Sequence, residues 1–509
     1  MPGIVTKRFR IHNARQFYEA FSEAVDTKMY LFIARLNTWD NGDTEPTPVD
    51  TVRESRFEPW RQMIAAKRVQ STDVSYCITR SNWTSGTVYA EYDDTITTLH
   101  DTVFFVMTTD FNVYKCMFNS GGVASTVNPT GTSTSVFRTA DKYKWKFMYT
   151  ITAADTLKFV TSTYIPVKTL TSDDGTTQWD VQQAAVNNAI EIIDVVAGGT
   201  GYRYRANTLS SVTNSTVVLL DSSASASDSF YVGSAIYISA GLGAGKLANV
   251  TAYTGATKRV TLSPAFTITP NSTSSYHIGP RIIITGDGVG AKAYANALSG
   301  VVSTVHMINV GSKYSRANVV ISGAGGTSAT AKARLSPAGG HGSDPVGELG
   351  GYNVMLNVRL QGTEGSNFPT NNDFRIIGVL QDPLTANDIA ANASAYDQTT
   401  RLTVSGIASG PFYQDEVVTG TANGATGRVV DFANTNAAGT SGVLKVIDYH
   451  GVFQAEVITG NTTGATATIS SVGAAELKPF TGDIIYRENR SVTSRSADQI
   501  EDIKIIVRY

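Results

Sequence analysis

Apolar positions along this chain come mostly in short runs or alternate with polar ones, and Gly, Asn, Asp and Thr bound them. That spacing predicts strands, with helical stripes in only a few places. The segment Gly482–Tyr509 (GDIIYRENRSVTSRSADQIEDIKIIVRY) holds two such runs, Asp483–Tyr486 and Asp502–Tyr509, joined by a polar Arg/Ser-rich link. A strand at the end of a chain needs partners for its backbone groups. The strongest apolar candidates are Ile4–Arg10 and Met29–Leu36, so both termini are expected in one core with the middle threaded through it.

The first part reads strand, helix, strand. Asn13 is the expected N-cap of a helix whose stripe is Phe17, Phe21 and Val25, with Ala20 and Ala24 beside it, ending near Asp26. Met29–Leu36 follows as a partly buried strand, Thr38–Pro48 as turns, and Ser55–Lys67 as a short helix begun near Pro59. From Val69 to Thr150 the pattern is β, with strands at Val74–Ile78, Val103–Met107, Val113–Phe118 and Trp145–Ile151. TTDFN (Thr108–Asn112) reads as a hairpin loop and the Gly/Ser/Thr-rich stretch Asn119–Ser135 as a mobile surface loop. Thr163–Val167 is a short strand, and Gln178–Ala189 a helix or a linker.

Beyond Ile190 the chain turns rich in Gly, Ala, Ser, Thr and Val, and it repeats itself. Ile193-Asp-Val followed by Tyr204-Arg-Ala-Asn207 returns as Ile308-Asn-Val followed by Ser315-Arg-Ala-Asn318. The second copy runs straight into Val319–Leu335, whereas the matching continuation of the first begins only at Ile282. A module of about residues 208–280 is therefore nested in the first copy, an insertion that is cheap where the ends of the receiving loop lie close together. A second pair, Phe412–Val429 and Phe453–Ile469, matches at Glu416/Glu456, Gly420/Gly460, Gly424/Gly464 and Thr426/Thr466. Two copies cannot close a propeller, and they read as two small β units stacked as an appendage. Between the repeat regions come strands at Tyr352–Leu360 and Phe374–Leu380 and a turn at Asp382-Pro383.

The expected fold is mainly β and multidomain: β-sandwich-like host domains with a few short helices, carrying inserted small β modules. The host region comprises 1–189, 341–400 and 479–509. The insertions are 190–340, with its nested module, and the tandem repeats of 401–478.

At 509 residues the chain exceeds a single core. With 42% hydrophobic and only 17% charged residues it is a packed protein, and a net charge of −2 with interspersed signs gives no polyanion footprint. Nucleic acid and acidic membrane surfaces are not expected partners; shape-matched protein surfaces are. Cys77 and Cys116 each sit in an apolar strand-like run and read as buried free thiols. No apolar signal core opens the sequence and no run reaches membrane-spanning length, so membrane insertion is not expected and synthesis in a cytosol is.

Catalytic signatures fail in turn. The histidines at 12, 100, 277, 306, 341 and 450 show no HxxxH, HExxH or Cys/His ligand spacing. GLGAGK (Gly241–Lys246) lacks the first Gly of a phosphate loop, and Leu247 stands where the hydroxyl that ligates magnesium is needed, so it reads as a β-turn. GDGVG (Gly286–Gly290) misses the dinucleotide spacing, and no GxSxG occurs. Asp415/Glu416 with Glu456 suggests a glycosidase pair, but equivalent positions in two repeats point to a structural role in each. Trp39, Trp60, Trp83, Trp145 and Trp179 flank strands and read as core or interface anchors. No catalytic, cofactor-binding or metal-ligating residue is assigned, the chain is expected not to be an enzyme, and the sequence names no interface residue.

The host segments resemble the baseplate wedge subunits (gene eight products) of T-even-like contractile-tailed bacteriophages. The likeness is carried in order by IVTKRFR with ARQFYEAF, then ITRSNWTSGTVY (Ile78–Tyr89), VFFVMTTDFNVYKCMFN (Val103–Asn119), DKYKWKFMYTITAAD (Asp141–Asp155), DFRIIGVLQDPLTAND (Asp373–Asp388) and the closing segment from Gly482, whose YRENR is the most specific. Both repeat regions depart from that family, being much longer than its connections, and resemble Gly-rich modules that decorate tail and adhesin proteins. The resemblance implies a non-enzymatic structural subunit that forms a homodimer and packs among other wedge subunits, located in the virion tail baseplate and assembled in the cytoplasm of the infected cell. Its interfaces would be re-paired when the plate rearranges on infection. The alternative is a receptor- or glycan-binding tail protein that reaches a fibre or the cell surface through its insertions, for which Tyr231, Tyr237, Tyr253, Tyr276, Phe412, Tyr413 and Phe453 are the candidate exposed aromatics.

Overall fold

The computed structural model describes residues 3–23, 27–42, 44–361, 369–496 and 498–509. The protein is mainly β, with several sheets and a few short helices. It divides into two compact units, one of Met1–Cys77 with Tyr352–Tyr509 and the other of Ile78–Gly351. The 1–189 stretch is thus split between them after Cys77.

In the first unit the N-terminal expectations need correction. A helix, Lys7–Glu19, occupies most of the stretch expected as a first strand, and Thr6, not Asn13, caps it by accepting from Phe9 N at 3.2 Å. The buried stripe starts a turn earlier than expected, at Ile11 and Ala14. Val25 lies outside the described residues, and the helix ends at Glu19, well before the end expected near Asp26.

Met29–Ala34 is the central strand of a five-stranded sheet whose spatial order is Ala395–Asp397, Met63–Arg68, Met29–Ala34, Asp373–Gln381, Asp483–Ser494. Both faces are covered, Leu31 and Ile33 facing one core and Tyr30 and Phe32 another, so the strand is apolar throughout instead of alternating. Met63–Arg68 corrects the helix expected over Ser55–Lys67. Only Arg53–Phe57 and Glu58–Gln62 are helical, because Met63–Ala66 is buried and pairs with Met29–Ala34. The polar link expected after Tyr486 is also strand. Asp483–Ser494 runs through it, with Asn489 Nδ2 donating to Pro46 O at 2.8 Å and Trp39 Nε1 donating to Arg490 O at 2.8 Å.

The last strand, Ile500–Arg508, pairs with Asn353–Gln361, which also pairs with Val74–Cys77. It does not pair with the N-terminal segments, yet Ala14, Phe21, Leu31, Ile503 and Ile505 share one core, so the two ends of the chain do meet.

The tandem repeats form one closed six-stranded barrel and not two stacked units. Thr400–Ala408 and Ser441–His450 fill the gaps that two repeat copies leave open. Val417–Gly420 of the first copy pairs antiparallel with Val457–Gly460 of the second, with Thr419 opposite Thr459. Because these are equivalent residues, the two copies are related by a pseudo-twofold axis through that pair.

In the second unit a four-stranded sheet comprises Phe105–Met107, Asn112–Phe118, Lys144–Thr150 and Phe137–Arg138. The loop expected to be mobile, Asn119–Ser135, is instead pinned to it. Asp141 accepts from Ser125 Oγ, Thr126 N and Val127 N at 2.9–3.0 Å, Tyr114 Oη donates to Gly131 O, and Lys146 Nζ donates to Thr134 O. Helix Ala153–Phe159, capped by Thr152, was not anticipated, and Thr177–Ala184 is the helical alternative for Gln178–Ala189.

The first repeat pair makes a six-stranded sheet in the order Val301–Asn309, Lys292–Leu298, Arg281–Gly286, Ala317–Ser322, Thr327–Leu335, Ile190–Thr200. Its central pair sets Ile283 opposite Val320, again equivalent residues of the two copies. Between Arg205 and Gly279 a separate seven-stranded sheet closes over its own core, which includes Val218, Ile236, Val250, Val260 and Ile278.

Candidate functional site

Buried charged side chains form pairs in the first unit, such as Lys445 with Asp397 and Arg495 with Glu501, and larger clusters in the second. Lys115 projects from Asn112–Phe118 and is fully buried, as are His341 (1% exposed) and Glu348 (side chain 4% exposed). Lys115 Nζ lies 2.7 Å from His341 Nδ1 and forms an ion pair with Glu348. Tyr92 sets its ring edge-on to His341 at 4.6 Å, and its face is 5.0 Å from the ammonium. The other Glu348 oxygen accepts from Gly342 N at 2.7 Å and Asp344 N at 3.3 Å. Burial opposes the charge on Glu348, but the Lys115 ammonium outweighs it and holds the carboxyl at about 2. Burial, then Lys115, lowers the His341 pKa, so the ring is neutral. With every donor and acceptor turned inward, the cluster fastens Gly340–Leu349 to the sheet.

A second cluster lies along Thr327–Leu335. Arg334 pairs with both Glu91 and Asp194 and donates to Met117 O at 3.3 Å. Lys332 reaches Asp93 at 2.7 Å and Thr95 Oγ1 at 3.0 Å, Tyr92 Oη donates to Leu335 O at 3.1 Å, and Leu335 N donates to Asp94 at 3.2 Å. The stretch EYDDT (Glu91–Thr95) is thus an ionic seam between the four-stranded sheet's surroundings and the six-stranded sheet. Its run of acids was visible in the sequence, whereas Lys115, His341 and Glu348 carry no local signature, being far apart along the chain.

The candidates named from sequence are dispersed. Glu416 and Glu456 are buried in the barrel, each reaching across the pseudo-twofold axis to the turn of the other copy, while Asp415 is exposed and pairs with Arg428 at 3.0 Å. That arrangement is structural. Gly241, Gly243 and Gly245, all at positive φ, make the turn between Ala235–Ala240 and Leu247–Thr254. In GDGVG, Asp287 accepts from Ser315 N and Arg316 N at 3.0 and 3.1 Å. Trp39, Trp60 and Trp145 are buried, and Trp83 and Trp179 are half-buried. Of the seven aromatics proposed as exposed, Tyr231, Tyr253, Tyr276, Phe412 and Phe453 are buried, Tyr237 stacks on Tyr294 at 4.4 Å, and only Tyr413 is open, at 62%. Cys77 and Cys116 are buried and free, and burial pushes the Cys77 thiol up to about 12.

Among the described residues no three His, Cys, Asp or Glu side chains gather as metal ligands, and no helix is long and apolar enough to cross a membrane. No protein-family model matches the chain, and a search of curated proteins returned no match.

Proposed function

We propose that this chain is a structural subunit of a phage tail baseplate wedge, without enzymatic activity, which holds neighbouring wedge proteins and re-pairs its interfaces when the plate rearranges on infection. One observation supports this reading. The segments that resemble the wedge family build the shared cores: Ala14 and Phe21 from ARQFYEAF, Phe374 and Ile377 from DFRIIGVLQ, and Ile503 and Ile505 from the closing segment lie in one cluster. Tyr114, Cys116, Trp145 and Phe147, from the two middle segments, lie in another. The repeat regions have cores of their own, and of the barrel Val430 and Ile447 also join the shared core. The resemblance therefore falls on residues that fix a fold, as it would in a relative that keeps the scaffold and varies its decorations. A homodimer and residence in the virion baseplate follow from the same reading. The receptor-binding alternative loses its main support with the burial of five of the seven aromatics.

The test is immunogold labelling of intact and contracted tails with antibody raised against residues 401–478. Label at the distal plate in a fixed number of positions is expected. Label confined to fibres, or absent from the tail, would overturn the reading.

A further inference from the structure

A cleft of about 70 Å³ opens where the edge of the four-stranded sheet meets the outer strands of the six-stranded sheet. Its apolar walls include Phe118, Ile193 and Val305, and into it come Arg138, Lys144 and His306. Arg138 and Lys144 are neighbours across one strand pair. Neither has a carboxylate within ion-pair distance among the described residues; the Lys144 ammonium stands 5.6 Å from the Phe118 ring and feels the Asp194 charge from beyond that distance. His306 lies flat against Tyr294 at 4.9 Å, and its Nε2 accepts from Asn296 Nδ2 at 3.3 Å and stands 3.1 Å from Thr304 Oγ1. The proton of the neutral ring is therefore on Nδ1, a donor with no protein partner. Burial first, then the charges of Lys144 and Arg138, depress the His306 pKa to about 4, which places all three groups in one positive field.

The remaining lining group of opposite sign is Asp194. One of its oxygens is taken by Arg334, itself shared with Glu91, while Oδ1 is buried without a partner. That oxygen is sealed from the cleft, so what the cleft offers a ligand is two cations and the His306 Nδ1 donor, a match for an oxyanion.

We propose that this cleft binds a phosphate group, with Arg138 and Lys144 compensating its charge and His306 Nδ1 donating to one oxygen. The volume, room for about two waters, admits one such group and little more. Sulfate has the same shape and charge and should bind comparably.

Titration calorimetry of the full chain with inorganic phosphate, sulfate and glucose 1-phosphate tests this. Saturable phosphate binding is expected, weakened about tenfold or more in the Lys144→Gln and Arg138→Gln variants, whose thermal midpoints without ligand should match the parent. Tighter binding of glucose 1-phosphate would show that the group arrives on a sugar, and tighter inorganic phosphate that it arrives free; either supports the site. No binding of any probe, or affinities unchanged in both variants, would overturn it.

Discussion

Gly460 lies directly beneath the carboxylate of Glu416: a Cβ at 460 would come within 2.5 Å of Glu416 Oε2, and one at the equivalent Gly420 within 2.7 Å of the Glu456 carboxylate. Each Glu crosses the pseudo-twofold axis to satisfy the other copy's turn. Glu416 accepts from Thr463 N at 3.3 Å and Thr463 Oγ1 at 3.0 Å, and Glu456 accepts from Ala422 N at 2.7 Å. The shared Glu and Gly of the repeat are thus one device used twice, and glycine is required by the approach of the carboxylate.

Gly460→Ala should therefore destabilise the chain by about 2 kcal/mol through overpacking against a buried charge. Adding Glu416→Ala should cost less than the sum of the two single changes, because the clash and the bond share a partner. Urea unfolding of the parent, both single variants and the double variant measures this; strict additivity would mean that the two residues do not meet.

Glu348 gives a pH dependence with a definite sign. Its folded pKa of about 2 lies below the ordinary 4.5, so its contribution is complete above about pH 4.5 and disappears as pH falls through about 2. Glu348→Gln leaves Lys115 buried beside a neutral group and should cost on the order of 3 kcal/mol at neutral pH. Between about pH 4.5 and 2 the gap between parent and variant should close. Denaturant midpoints across that range are the readout, and a gap that stays constant would contradict the assignment.

How far the sequence reveals this arrangement depends on the range of the forces involved. The apolar runs that became Val74–Thr79, Asn112–Phe118 and Lys144–Thr150 are local signals and were readable. So were the two repeats, because Gly and Glu recur for the reason seen at Gly460. Met63–Arg68 reads as helix because Ala-Ala-Lys-Arg favours one in isolation, and burial beside Met29–Ala34 overrides that preference. The Asn119–Ser135 loop has mobile composition, but Asp141, Tyr114 and Lys146, all beyond a local window, hold it down. The Lys115, His341 and Glu348 cluster and the cationic cleft have no sequence pattern, since each is assembled from separate strands by tertiary pairing.

Arg334 makes a second buried-charge prediction. Arg334→Met keeps the apolar stem but strands Asp194 and leaves Glu91 with one fewer partner. Removing one member of such a buried set costs about 3–5 kcal/mol, whereas the triple change to Met, Asn and Gln at 334, 194 and 91 should recover much of the loss, since no unpaired charge remains. Thermal unfolding of the two variants distinguishes a seam that matters from one that is merely present: equal midpoints for the single variant and the parent would show the latter.

The nested seven-stranded module should be separable from the sheet that carries it. Its ends are adjacent, since Arg205 pairs with Ile278 and a Cβ on Gly279 would come within 3.0 Å of the Tyr204 ring. Its core, from Leu209 to Ile278, shares no residue with the core of the six-stranded sheet. Closing a gap between neighbouring ends costs little loop entropy, so a chain in which a Gly-Ser link joins Tyr204 to Pro280 should fold. Its circular dichroism should remain β, its remaining unfolding midpoint should stay within a few degrees of the parent, and one transition should vanish. The stacking of Tyr237 on Tyr294 and the cation–π contact of Arg203 with Phe230 would be lost, contacts worth about 1 kcal/mol each, too little to unfold a sheet with its own core. Aggregation of the shortened chain, or loss of protection in Arg281–Leu335 by hydrogen exchange, would show instead that the module completes the sheet and is not an addition to it.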